Sequence, residues 1–227
     1  ALVGPGIGWL ALSALLIATN WAAFVLGATT ERLNQASFGY YINPLWSVAL
    51  GMFFLGERLR WQRLAAVGLA AAGVVCETVV QGQIPIIALA VAFSFGLYGL
   101  IRKQVAIAPV TGFAVETTIL APLAVGYLVW RWNAGPPLSF GTNWPVTLLL
   151  VASGAATTAP LVWFANAARR LPLSTLGFMQ YITPTGQLLV ALGVNGESLN
   201  MGSLGAFALI WLGIAVFLVS RDSTTQA

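Results

Sequence analysis

The sequence predicts an all-α membrane protein, and three observations carry that prediction. Hydrophobic residues fill 59% of its 227 positions and charged residues only 7%, far below the roughly 25% charged residues of soluble domains. Apolar stretches of about 20 residues, the helix length that crosses roughly 30 Å of hydrocarbon, recur eight times along the chain. Runs such as WLALSALLIATNWAAFVL are apolar all round, whereas a transmembrane strand needs about ten residues that alternate apolar and polar.

The elements follow in order. The first span, 7–27, has no basic segment ahead of its apolar run, so it does not read as a cleaved signal; it carries Ser13, Asn20 and Trp21. The second, 35–55, runs from the polar TTERLNQAS to the basic GERLRWQR. The third, 61–81, is rich in Gly and Ala (RLAAVGLAAAGVV), as is the eighth, 203–220 (MGSLGAFALIWLG), and small residues let helix backbones approach closely. The fourth, 84–101, ends at Arg102 and Lys103. The fifth, 112–131, holds Glu116 about a turn inside its start. The sixth, 144–168, carries Ser153, Thr157, Trp163 and Asn166 and ends at Arg169 and Arg170. The seventh, 173–194, ends at GVNGES.

Eight of the ten basic residues lie in the loops after the second, fourth and sixth spans and after the eighth. The positive-inside rule places those loops and the C-terminus in the cytoplasm. The net charge of +4 is accounted for by this orientation, and no nucleic-acid partner is expected. The chain has no histidine, one cysteine (Cys76) and no G-x-x-x-x-G-K-[ST] phosphate loop. The commonest general base, the commonest metal ligand and direct use of ATP are thereby removed. No cofactor, metal or catalytic residue is expected, and an enzyme is disfavoured.

The chain repeats itself. YINPLWSVALGMFFLGERL (41–59) aligns without a gap on YITPTGQLLVALGVNGESL (181–199) at an offset of 140. The turn after the first copy is basic and the turn after the second is not, so one motif stands on opposite sides of the membrane, the pattern of an inverted-topology repeat. The fourth to eighth spans then form a complete five-helix unit, 83–221, followed by a tail, 222–227. Residues 1–82 supply the last three helices of a first unit, and the repeat places that unit's start about 57 residues before Ala1, room for two more spans of roughly 20 residues. A ten-helix protein is expected.

SFGYYINPL, GMFFLGERL, AFSFGLYGLIRK and RRLPLSTLGFMQYITPT resemble the RarD-type permeases, a group named for a link to chloramphenicol sensitivity. These permeases carry the EamA units of the drug/metabolite transporter superfamily. The resemblance covers nearly the whole chain and departs from the family in lacking its first two helices. It implies a multi-pass permease of the bacterial inner membrane, with a small organic molecule as substrate.

Polar side chains are expensive in hydrocarbon and mark bundle interiors or water-filled paths. The second span places Tyr40, Asn43 and Ser47 on one helical face, beside Tyr41 and Pro44; the seventh places Gln180, Thr183 and Gln187 at the same offsets, beside Tyr181 and Pro184. Either these stripes line a substrate cavity or they bond helix to helix. Each proline frees the carbonyl four residues back, Tyr40 or Gln180, and kinks its helix. Ser94, Tyr98 and Arg102 share a face of the fourth span. Trp21 and Trp163 are suited to stack on a substrate or to fill the core. Glu116 is placed to pair with Arg102 or to take up a proton. Glu57 and Glu197 are expected to favour the N-terminus of the helix that follows each, and Glu77 to lie at the interface. Stripes of Tyr, Asn, Gln, Ser and Thr suit a neutral or zwitterionic, partly aromatic molecule. The rivals are a membrane enzyme or accessory subunit acting on lipid-soluble substrates, for which no reactive constellation is found, and a passive pore.

Overall fold

The computed structural model describes residues 6–30, 33–82, 86–134, 140–141, 143–186 and 201–220. Eight helices lie within them: α1 (Ile7–Thr29), α2 (Leu33–Leu55), α3 (Trp61–Gln81), α4 (Ile86–Gln104), α5 (Pro109–Ala134), α6 (Trp144–Arg170), α7 (Leu173–Met179) and α8 (Met201–Val219). No strand occurs among the described residues. All except α7 are long and apolar enough to cross a membrane. This all-helical build is what a bilayer demands, because backbone N–H and C=O groups find no water in hydrocarbon and must bond within their own segment.

The seventh predicted span departs from expectation. Its helix stops at Met179, Gln180 and Tyr181 form a tight turn, and helical backbone resumes over 182–186. Pro184 explains the break, since it has no N–H to give the Gln180 carbonyl. That carbonyl instead accepts from Thr183 N at 3.1 Å, so it is not left free as the proline spacing suggested. By contrast α2 runs unbroken through Pro44. The rest of the seventh span, with Gln187 and Glu197, lies outside the described residues.

The chain packs as two units, residues 1–18 with 101–170, and residues 19–100 with 171–227. Each draws on both sides of the predicted repeat boundary at 82/83. In the first, Leu10 of α1 packs with Ile101 and Val105, backed by Leu16, Ile107 and Val115. In the second, Phe38, Val48, Ala66, Ala70, Val74, Ala88, Phe178, Tyr181, Ile210 and Phe217 form the core.

Within the second unit, α3 and α8 pack on their glycines. A Cβ at Gly73 would stand 2.7 Å from Ala206 O and 3.2 Å from Ile210 N. A Cβ at Gly213 would stand 2.8 Å from Ala66 O and 3.2 Å from Ala70 N. Adding 140 to one partner and subtracting it from the other turns the first pair of contacts into the second, so the two helices meet with exchanged roles. The ends repeat this exchange with different chemistry. The Arg63 guanidinium lies 4.5 Å from the Phe217 ring centroid and donates to Ser220 O. At the corresponding positions Ser203 Oγ donates to Glu77 Oε1 at 3.2 Å. Glu77 is thus buried between α3 and α8, where a serine hydroxyl donates to one of its carboxylate oxygens.

Glu57 also finds a different partner from the one expected. Gly56, at φ 66°, turns the chain after α2 through a left-handed conformation that glycine adopts without steric cost. The Glu57 carboxylate then accepts from Leu173 N at 2.6 Å and Ser174 N at 3.0 Å. It caps α7, not α3. Gly51 makes the room, since a Cβ there would stand 2.7 Å from Glu57 Oε2.

Candidate functional site

The polar stripes of the two repeat copies meet where α2 packs on α7. Glu57 reaches Leu173 and Ser174, Gly177 lies against Ser47 and the Pro44 carbonyl, and Asn43 meets Gln180. Descending numbers on one side matched to ascending numbers on the other make the pair antiparallel. Gly177 allows the close approach, since a Cβ there would fall 2.8 Å from Pro44 O and 3.0 Å from Ser47 Cβ.

At the centre Asn43 Nδ2 donates to Gln180 Oε1. Asn43 is 2% exposed, and both its Oδ1 and Gln180 Nε2 are buried with no hydrogen-bond partner among the described residues. Tyr41 OH donates to Pro184 O at 3.1 Å, and the Tyr41 ring lies 5.4 Å from Phe207. Tyr181, its repeat counterpart, is buried against Phe178, and its hydroxyl has no hydrogen-bond partner among the described residues. Tyr40 is half-buried beside Phe24, Ser47 is buried and Thr183 is exposed. Of this predicted set, Asn43, Ser47, Gln180, Tyr41 and Tyr181 share the α2–α7 region.

The other predicted residues fall into separate places. Asn20 of α1 donates to Val91 O at 2.8 Å and Ser94 Oγ at 3.3 Å, which ties α1 to α4 in the second unit. Tyr98 is fully buried, with Phe95 beside it. Trp21 and Trp163 are 44% and 69% exposed, so neither fills a core. In the first unit Arg102 and Glu116 form a buried ion pair, Nη1 to Oε1 3.6 Å, at 1% and 2% exposure. Ser13 Oγ lies 2.5 Å from Glu116 Oε1, and Arg102 Nη2 donates to Pro109 O at 3.0 Å. Gly112 opens the slot, because a Cβ there would overlap the guanidinium. Among the described residues no group of three or more His, Cys, Asp or Glu is placed to hold a metal ion.

Comparison with known proteins decides the relationship. No family model matches the chain. An uncharacterized transporter of Vibrio cholerae is 46% identical over 213 residues, 93% of this chain and 70% of that protein. Protein RarD of Salmonella typhimurium is 46% identical over 218 residues, 96% of this chain and 74% of its own length. The chain belongs to the RarD family. A solved crystal structure superposes at a TM-score of 0.60 with 20% identity, covering 98% of this chain and 91% of its own, which shows a shared fold.

In this RarD-family chain α2 and residues 173–186 hold no charged side chain; the charge that reaches their interface is the Glu57 carboxylate, engaged by Leu173 N and Ser174 N. Sequence reasoning found the polar positions of this interface through the repeat. It missed Glu57 as the clamp on α7 and Ser13 as the partner of Glu116, whose only sequence signal was polarity inside apolar spans.

Proposed function

We propose that this chain is a permease for small organic molecules in a bacterial inner membrane, multi-pass and with its C-terminus in the cytoplasm, working by alternating access about the α2–α7 interface. The observation that carries this reading is the Asn43–Gln180 bond, which joins the corresponding stripes of two sequence copies in one buried layer. The transporter names of the relatives support it. The repeat itself is read as part of two five-helix EamA units of opposite orientation, whose exchange of conformation opens the site first to one side and then to the other.

The asymmetry of the tyrosines gives the exchange a concrete form. Tyr41 OH holds Pro184 O, whereas the buried Tyr181 OH has no hydrogen-bond partner among the described residues. The offset of 140 makes Pro44 O the counterpart of Pro184 O, and that carbonyl lies against Gly177, one turn before Tyr181. In the alternative conformation Tyr181 takes Pro44 O and Tyr41 releases Pro184. One hydrogen bond, worth about 1 kcal/mol net, is traded for its equivalent, so the two states stay close in free energy. Tyr40, Asn43 and Ser47 on α2, Gln180 and Thr183 on the facing segment, and Asn20, Trp21, Ser94 and Tyr98 on α1 and α4 are the residues assigned to the substrate path in the second unit; Trp163, in the first unit, is proposed as a separate aromatic contact for the substrate.

Counterflow in proteoliposomes tests the reading. Vesicles holding the purified chain are preloaded with one member of a metabolite and drug panel that includes chloramphenicol, and entry of labelled compound is followed. Saturable exchange is expected. Linear, non-saturating entry supports a pore, and chemical conversion of the compound supports an enzyme.

A further inference from the structure

We propose that the α2–α7 interface recognises an uncharged carboxamide-type group, one that offers a hydrogen-bond donor and an acceptor side by side. This assignment rests on the permease reading and names the chemistry of its substrate. Two primary amides facing each other can make two hydrogen bonds in a ring; Asn43 and Gln180 make one. The second acceptor, Asn43 Oδ1, and the second donor, Gln180 Nε2, stay buried and without a partner among the described residues. Turning both amides over leaves the same balance of one bond made, one donor and one acceptor over. Leaving such groups unsatisfied is costly, because their desolvation is not repaid by a hydrogen bond, so the layer favours any guest that supplies both complements.

Charge narrows the guest. A carboxylate brings acceptors only, so it satisfies Gln180 Nε2 and turns a like partial charge on Asn43 Oδ1. An amidinium brings donors only and has the opposite fault. No cationic side chain on α2 or on residues 173–186 compensates a carboxylate; the carboxylates that reach this region, Glu57 and Glu77, are already engaged by the Leu173 and Ser174 N–H groups and by the Ser203 hydroxyl, and burying an uncompensated ion is far more costly than burying an amide. A carboxamide accepts from Gln180 and donates to Asn43.

The test uses three isosteric probes, benzamide, benzamidine and benzoate, titrated against the purified chain in lipid nanodiscs, with empty discs as the blank. Ligand-observed saturation-transfer NMR reads the binding. Benzamide is expected to bind at least about tenfold tighter than either ion, tenfold corresponding to roughly 1.4 kcal/mol and thus to one unsatisfied group. In N43D, whose carboxylate only accepts, the ranking reverses toward benzamidine by a similar factor; Q180E is the second variant, with the same expected reversal. Equal binding of the three probes to the wild-type protein means that the two atoms are served by water, and overturns the assignment. So does no binding, or a ranking that N43D and Q180E leave unchanged when both fold. The wild-type ranking needs no variant to fold. Saturable counterflow persisting while the benzamide ranking fails sinks the ligand class alone; absence of counterflow across the panel sinks the permease reading as well.

Discussion

Arg102 and Glu116 show why a single polar residue in this chain cannot be judged alone. The two charges lie 3.6 Å apart and almost wholly out of solvent, and removing one leaves the other buried without its counter-ion. Breaking such a pair typically costs about 3–5 kcal/mol, while replacing both members by apolar residues of similar size is often neutral. Glu116→Leu is therefore expected to lower the temperature at which the protein leaves the monodisperse peak in detergent. The double variant Arg102→Met with Glu116→Leu recovers most of the loss; a double variant no better than the single would show that the pair is not a unit. Glu57 acts by a different route, through two backbone N–H groups of α7. Hydrogen bonds to a carboxylate are roughly twice as strong as neutral ones. Glu57→Gln keeps the shape but only one acceptor oxygen, and should speed amide hydrogen exchange at Leu173 and Ser174 while leaving α3 unaffected. Faster exchange at the start of α3 instead would return Glu57 to the role its sequence position suggested.

At the scale of elements, α3 and α8 are held by shape. Lipid tails are as apolar as leucine, so helices associate through close packing rather than by escaping water. Gly73 and Gly213 provide it by the same contact seen from opposite partners. Gly73→Val and Gly213→Val are expected to separate the helices and to destabilise to a similar extent. Gly205→Ala, on α8 with open space around it, should be neutral or slightly stabilising, because glycine costs about 0.5–1 kcal/mol against alanine inside a helix. Thermal aggregation of the three variants in detergent measures both statements, and unequal losses at Gly73 and Gly213 would contradict the exchanged packing. These glycines were legible in sequence because Gly/Ala composition and the 140-residue offset are both properties of the string. The break at Gln180 was only half legible: Pro184 announced a disturbed helix, but Pro44 sits in the same motif and α2 continues through it. Glu57, Glu77 and Ser13 were misread or left without a partner for a reason of distance. Their partners lie 116, 126 and 103 residues away, and local spacing carries no information about them.

For the whole molecule, a sequence written twice need not mean a structure that is symmetric at every contact. The α3–α8 contacts are symmetric under the repeat, and the tyrosine bonds are not, since Tyr41 is engaged and Tyr181 is idle. A carrier that alternates needs both: matched packing that survives exchange, and unmatched bonds that trade places. Tyr41→Phe should therefore favour the alternative state and Tyr181→Phe the present one, each shifting the population by about fivefold for a bond of 1 kcal/mol. The rate of maleimide labelling at Ile182→Cys, an exposed position, in a Cys76→Ala background should move in opposite directions for the two. A shift of the same sign would contradict the trade. The most direct measurement locks the interface itself. With Cys76→Ala, a cysteine pair at Glu57 and Ser174, where the Glu57 carboxylate already reaches Ser174 N at 3.0 Å, is oxidised and then reduced in proteoliposomes while counterflow is followed. The account predicts that flux disappears on oxidation and returns on reduction. Undiminished flux through fully crosslinked protein would show that α2 and α7 do not part during transport.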